Sequence, residues 1–205
     1  MTLPSPTGSR ALNGVGFFEV GAPAFGGWLA EALGERWSLR ETGFTDESEV
    51  VRALAPSRIP GTHVCVPLAE AWTSVVNDAA LGTDLGVIPT HATRRFGCRS
   101  IRAVTRGAGQ DRPPARILEV YGPGGPQPRL LERSLAVLQD GTRWVFETSG
   151  VPYDFEETSA YESRSPADRL TSAMVLRYLR ALGVPVDVPP DWSRAIRVTR
   201  SYAPS

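Results

Sequence analysis

Asp140-Gly141, set between two apolar runs, constrains this chain more than any other pair of residues. Asp-Gly favours a two-residue hairpin turn, because a type I′ turn needs positive φ at both central positions. With Asp140 and Gly141 as the turn, Gln139 pairs with Thr142, Val137 faces Trp144, and Leu135 faces Phe146. Side chains alternate along a strand, so Leu135, Val137, Trp144 and Phe146 share one face, the core face. Arg143 and Glu147 fall on the other face with Ala136, Leu138 and Val145. This is the pattern of an antiparallel sheet covered on one side.

An amphipathic helix follows. Ser165 suits the N-cap, Pro166 the first helical position, and Asp168 is the acid three residues on. Leu170, Met174, Tyr178 and Leu182 recur every fourth residue, with Val175 and Leu179 beside them, which makes a core-facing stripe. Gly183 is placed to end the helix and Pro185 to block its continuation. The Trp144 and Phe146 face is the surface expected to receive this stripe.

The rest of the chain alternates short strands with a few helices. Strands are expected at 15–20, 36–42, 63–68, 71–76, 98–106, 116–121 and 196–202, the last at a sheet edge. Short helices are expected at 23–33, ending at Gly34, and from the caps Thr45 and Asp46 to about residue 54, with Glu49 as the capping-box acid. A third runs from a Thr90 cap to Phe96. Consecutive strands read as hairpins, not βαβ units. The expected fold class is therefore α+β, a predominantly antiparallel sheet with three or four helices packed on one face. Residues 1–12, rich in Pro, Ser, Thr and Gly, read as a loosely held tail, and 13–205 as a single domain.

Composition excludes several classes of function. All 22 Lys+Arg positions are arginine, so Schiff-base, P-loop and general-base lysines are ruled out. Twenty-two acids balance them, which argues against a chain built wholly around nucleic acid. No apolar run reaches membrane-spanning length, and residues 1–10 lack the apolar stretch of a signal peptide, so no membrane partner and a cytoplasmic location are expected. Cys65 and Cys98 sit in apolar runs and read as buried free thiols.

Few residues carry chemistry. His63, Cys65, His91 and Cys98 match no standard zinc spacing, so no metal and no cofactor are assigned. There is no Gly-x-Ser-x-Gly elbow, and an enzymatic role is disfavoured. Two surfaces remain. Tyr153, Asp154, Phe155, Glu156, Glu157 and Tyr161 mix aromatics with acids, a composition that grips a basic partner; the same residues also read as a core Phe155 with solvated acids. Asn77, Asp78, Asp84, His91 and Arg102 make the alternative, a polar ligand pocket at a strand end. Arginines 94, 95, 99, 102, 106, 112 and 116 face only Asp111 between residues 85 and 118, a weaker anion or nucleic-acid signal that lacks interleaved aromatics.

Trp72-Thr73 with Asn77 and Asp84, the run from Cys98 to Arg102, and the run from Trp144 to Gly150 resemble uncharacterised actinobacterial proteins encoded beside polymorphic toxins. The resemblance covers about residues 62–182 and rests on structural positions. It implies an immunity-type binder of α+β fold with a toxin as partner, and it assigns no residue. The expected function is thus a non-enzymatic protein-binding module, with a small-ligand-binding protein or enzyme as the alternative.

Overall fold

The computed structural model describes residues 14–54, 61–69, 71–78, 85–107 and 113–201. The tail expected at 1–12 and the candidate Asp84 lie outside them. The fold is α+β: one nine-stranded antiparallel sheet carrying four α-helices. In chain order these are β1 (Gly14–Phe18), α1 (Ala22–Leu33), β2 (Trp37–Glu41), α2 (Glu47–Ala53), β3 (Thr62–Ala69), β4 (Trp72–Asn77) and α3 (Ile88–Phe96). There follow β5 (Ser100–Arg106), β6 (Ala115–Tyr121), β7 (Leu131–Asp140), β8 (Arg143–Ser149), α4 (Ser172–Ala181) and β9 (Ile196–Arg200). Across the sheet the order is β2-β9-β3-β4-β1-β5-β6-β7-β8.

The helices lie on both faces, not on one as the hairpin pattern suggested. On the first face, Val15, Phe17, Val64, Val66, Ile101 and Leu118 pack under Val50 of α2 and Met174, Val175 and Leu179 of α4. On the second, Phe18, Cys65, Val75, Ile196 and Val198 pack under Phe25 and Leu29 of α1 and Ile88 and Ala92 of α3. The cause is legible in β1, β3 and β4, where nearly every residue is buried. Strands without a polar face need cover on both sides. Gly16 lets the layers close up, because a Cβ there would collide with the Leu85 side chain.

The central hairpin forms two residues out of the expected pairing, its loop moved one residue along the chain. Asp140 pairs with Arg143, Val137 with Phe146 and Gln139 with Trp144, so the loop is Gly141-Thr142. Only the glycine of that loop has positive φ (58°), the pattern of a turn with glycine at its first central position. Both aromatics stay on the face of Leu135 and Val137, because direct partners share a side.

The last helix also starts later than expected. Pro166–Asp168 forms an isolated 3₁₀ turn, and α4 begins after Thr171, whose hydroxyl accepts from the Met174 amide at 3.2 Å. Gly183 ends the helical segment at φ 84° as expected. It is the 3₁₀ turn that covers β8, while α4 lies over β5 and β6. Trp144 and Phe146 are half-buried, under the guanidinium groups of Arg116 and Arg169 respectively. Two smaller expectations also change. β9 is an interior strand between β2 and β3, so the sheet edges are β2 and β8. Thr90 lies inside α3, capped by Val87, and its hydroxyl donates to the Arg129 carbonyl.

His63 on β3 shows what double-sided burial costs. It is 3% exposed, its Nδ1 has no hydrogen-bond partner among the described residues, and burial pushes its pKa down to about 4. Below the unfolded value near 6.5 the unfolded chain binds a proton that the folded one refuses, so stability falls as pH drops from there toward 4. Urea unfolding at about pH 7.5 and about pH 5 should differ by about 2 kcal/mol, and His63→Leu should remove most of that difference. Equal stability of the wild type at the two pH values would contradict this account.

Candidate functional site

The segment from Tyr153 to Tyr161 is organised from within. Arg133 lies on β7 in phase with Leu135 and Val137, so its side chain enters the first-face core. A buried guanidinium needs a partner for its charge and for its N–H groups. Glu156 accepts from its Nε at 2.9 Å and from Nη2 at 2.7 Å. Nη1 donates to the carbonyls of Ser149 and Gly150, both at 3.0 Å, and to the Thr148 hydroxyl. Glu156 in turn accepts from the Tyr153 amide at 3.0 Å and the Tyr161 hydroxyl at 2.7 Å.

The two charged side chains are 2% and 1% exposed. Burial alone would push the Glu156 carboxyl up, but hydrogen bonds from Arg133, Tyr161 and the Tyr153 amide outweigh it and hold it below the ordinary carboxylate value. Burial and the Glu156 carboxylate push the Tyr161 phenol up. Tyr153 rises to about 12 through burial and its hydrogen bond to Glu132.

Of the six residues proposed for partner binding, Glu156 is therefore internal. Phe155 is half-buried between Tyr153, on which it stacks, and Tyr178, and Tyr161 makes a tilted ring contact with Phe146. Glu157 is at the surface in an ion pair with Arg177, and Asp154 is exposed.

Of the alternative ligand set, the described members Asn77, Asp78, His91 and Arg102 each have their own local surroundings. Asp78 accepts from the amides of Gly61 and Thr62 at 2.8 and 3.1 Å, which ties off the start of β3. Asn77 is buried opposite His63, and Arg102 is paired with Glu119 at 3.0 Å. Among the described residues no three His, Cys, Asp or Glu side chains gather where a metal ion could sit. Cys65 is buried and burial pushes its thiol up to about 12, whereas Cys98 is half-buried just before β5. The arginines from 94 to 116 are dispersed: Arg99 donates to the Leu182 carbonyl, Arg106 to Pro113, and Arg116 lies over Trp144.

His91 belongs to a different site. Between α1 and α3 runs an open groove of about 580 Å³, lined by Trp28, Leu29, Ala32, Leu33, Val87, Ile88, His91, Arg94 and Arg95. Trp28 closes one side by an edge contact with Phe96 at 5.5 Å. Val87 stands 66% exposed on the rim. His91, Arg94 and Arg95 bring basic groups to one wall, and no acid lines the groove among the described residues. Arg94 is steadied by the Pro128 carbonyl at 2.8 Å. An apolar floor with a few convergent polar groups is the ordinary make-up of a binding site.

The residues of the groove carried a weak signal in the sequence. α1 is apolar nearly all round, with Trp28 and Leu33 in excess of what one buried stripe needs. No helix among the described residues is long and apolar enough to cross a membrane. No family model, curated protein or solved structure matches the chain.

The buried pair gives a sharp test. Glu156→Gln or Arg133→Met alone should cost about 3–5 kcal/mol in denaturant unfolding, since each leaves its partner buried without a counter-charge. The double substitution R133M/E156L should cost clearly less than the two singles added. Additive losses would mean that the two groups do not depend on each other.

Proposed function

We propose that the chain is a non-enzymatic, cytoplasmic protein-binding module whose contact surface is the groove between α1 and α3. The single observation behind this reading is a groove with half-buried Trp28 and Leu33 and an exposed Val87 on its rim, beside a wall of His91, Arg94 and Arg95. That pairing suits a segment presenting apolar side chains flanked by carboxylates, such as one face of an amphipathic helix. Apolar contact supplies affinity and the arginines steer approach. An immunity-type role, with a toxin as the partner, is the specific form of this reading that the sequence resemblance suggests. Asp154 and Glu157 form a smaller candidate surface, since Glu156 is engaged by Arg133.

A second reading is that the groove takes a small molecule with an apolar body and an acidic group. Its volume of about 580 Å³ falls within the range of such sites.

A photo-crosslinking phenylalanine analogue at Val87 should capture one protein species in the source organism. The double reversal R94E/R95E should weaken that capture at least about tenfold, with circular dichroism checking that the fold is kept. Absence of any protein crosslink, or capture unaffected by the reversal, overturns the protein-binding reading. Native mass spectrometry showing a co-purifying anionic small molecule, lost in R94E/R95E, would favour the second reading instead.

A further inference from the structure

β8 is a seven-residue edge strand without proline. Because Asp140 and Arg143 close a two-residue turn, they form a hydrogen-bonded pair, and such pairs alternate along the ladder. Val145, Glu147 and Ser149 therefore bond to β7, while Trp144, Phe146 and Thr148 direct their backbone N–H and C=O groups outward. Among the described residues these outward groups have no partner. Open edges of this kind recruit strands unless something blunts them.

The side chains select the occupant. A two-fold axis through Val145 sets Arg143 opposite Glu147 of a second copy, and Glu147 opposite its Arg143. On the other face the same axis pairs Trp144 with Phe146 of the second copy, twice over, and Val145 meets itself. The bonding phase agrees, since Trp144 and Phe146 are both outward-directed and pair as hydrogen-bonded partners. An axis through Phe146 would instead set Glu147 against Val145, and one through Glu147 would oppose two carboxylates. The other edge fails the same operation: an axis through Leu39 of β2 sets Ser38 against Arg40 and Trp37 against Glu41.

We propose that the chain forms a two-fold homodimer by antiparallel pairing of β8 with β8 of a second copy, in the register centred on Val145. The contact is isologous and extends the sheet across both subunits. Opposite charges flank an aliphatic centre on one face, and aromatic pairs fill the other.

Sedimentation equilibrium of the full chain should show a concentration-dependent monomer–dimer equilibrium. Arg143→Glu and Glu147→Arg should each raise its dissociation constant at least about tenfold, by placing like charges opposite each other twice. The exchanged variant R143E/E147R restores the pairing and should recover the dimer. In a Cys98→Ser background, Val145→Cys should oxidise to a disulfide-linked dimer, because non-hydrogen-bonded cross-strand positions lie within disulfide reach. A monomer at the highest soluble concentration overturns the proposal. So does a dimer insensitive to the single reversals, or one that the exchange fails to restore. Circular dichroism of each variant separates a lost contact from a lost fold.

Discussion

Burial of the central strands on both sides is the constraint from which the remaining architecture follows. β1 sits in the middle of the sheet with both faces dry, and β3 and β4 beside it are nearly as buried. A strand in that position needs an apolar layer above and below, because leaving either side in water forfeits about 25 cal/mol for each Å² of apolar surface. The chain meets this by sending α1 and α3 to one face and α2 and α4 to the other. The binding groove follows from the same division. Two short helices lying side by side on a broad sheet leave a furrow, and its floor is whatever apolar surface the sheet does not use.

The buried Arg133–Glu156 pair does a different job. An apolar pair of the same volume would often be as stable, so stability alone does not explain a charge pair in a core. Its geometry points to conformational definition. One guanidinium holds the carbonyls of Ser149 and Gly150 and the carboxylate of Glu156, which binds the Tyr153 amide and the Tyr161 hydroxyl. Gly150 itself admits no side chain: its φ is 81°, and a Cβ would run into the Glu132 carbonyl. The chain therefore leaves β8 along one path only, which sets where the 3₁₀ turn and α4 land. Each partner satisfies the other, so the loop is held by a few directional bonds and not by bulk apolar contact.

Parts of this were legible in the sequence, for local reasons. The hairpin, its core face and the end of α4 depend on residues a few positions apart, and Gly141 and Gly183 announce the backbone conformations they adopt. The hairpin register was ambiguous because Asp-Gly fits two placements of a two-residue loop, differing only in whether Asp140 turns or pairs. The start of α4 is ambiguous in sequence because Ser165 and Thr171 are both good caps, and it is Thr171 that caps the helix lying over β5 and β6. Helices on both faces were missed because the alternation of β7 and β8, at a half-covered edge, was extended to strands that do not alternate. Arg133 carried a visible sign, a charge in phase with Leu135 and Val137, but Glu156 lies 23 residues away and nothing local pairs the two. Asn77, Asp78 and His91 looked like one site because they are near in sequence. A strand end and a helix carry them to different tasks.

The groove and the β8 edge are two kinds of unfinished surface, and their chemistry separates them. An edge offers backbone bonds, identical for any strand, so its selectivity must come from the flanking side chains. On β8 those side chains are complementary to themselves under a two-fold rotation, and on β2 they are not. The groove offers apolar side chains and basic groups in place of a backbone ladder. Its basic wall of His91, Arg94 and Arg95 needs carboxylates, and none lines it among the described residues. A second copy therefore fits the edge by its own sequence, whereas the groove selects an apolar segment that carries carboxylates. Self-association and partner binding would then run on separate surfaces, one selected by hydrogen-bond phase and charge order, the other by apolar shape beside a single sign of charge.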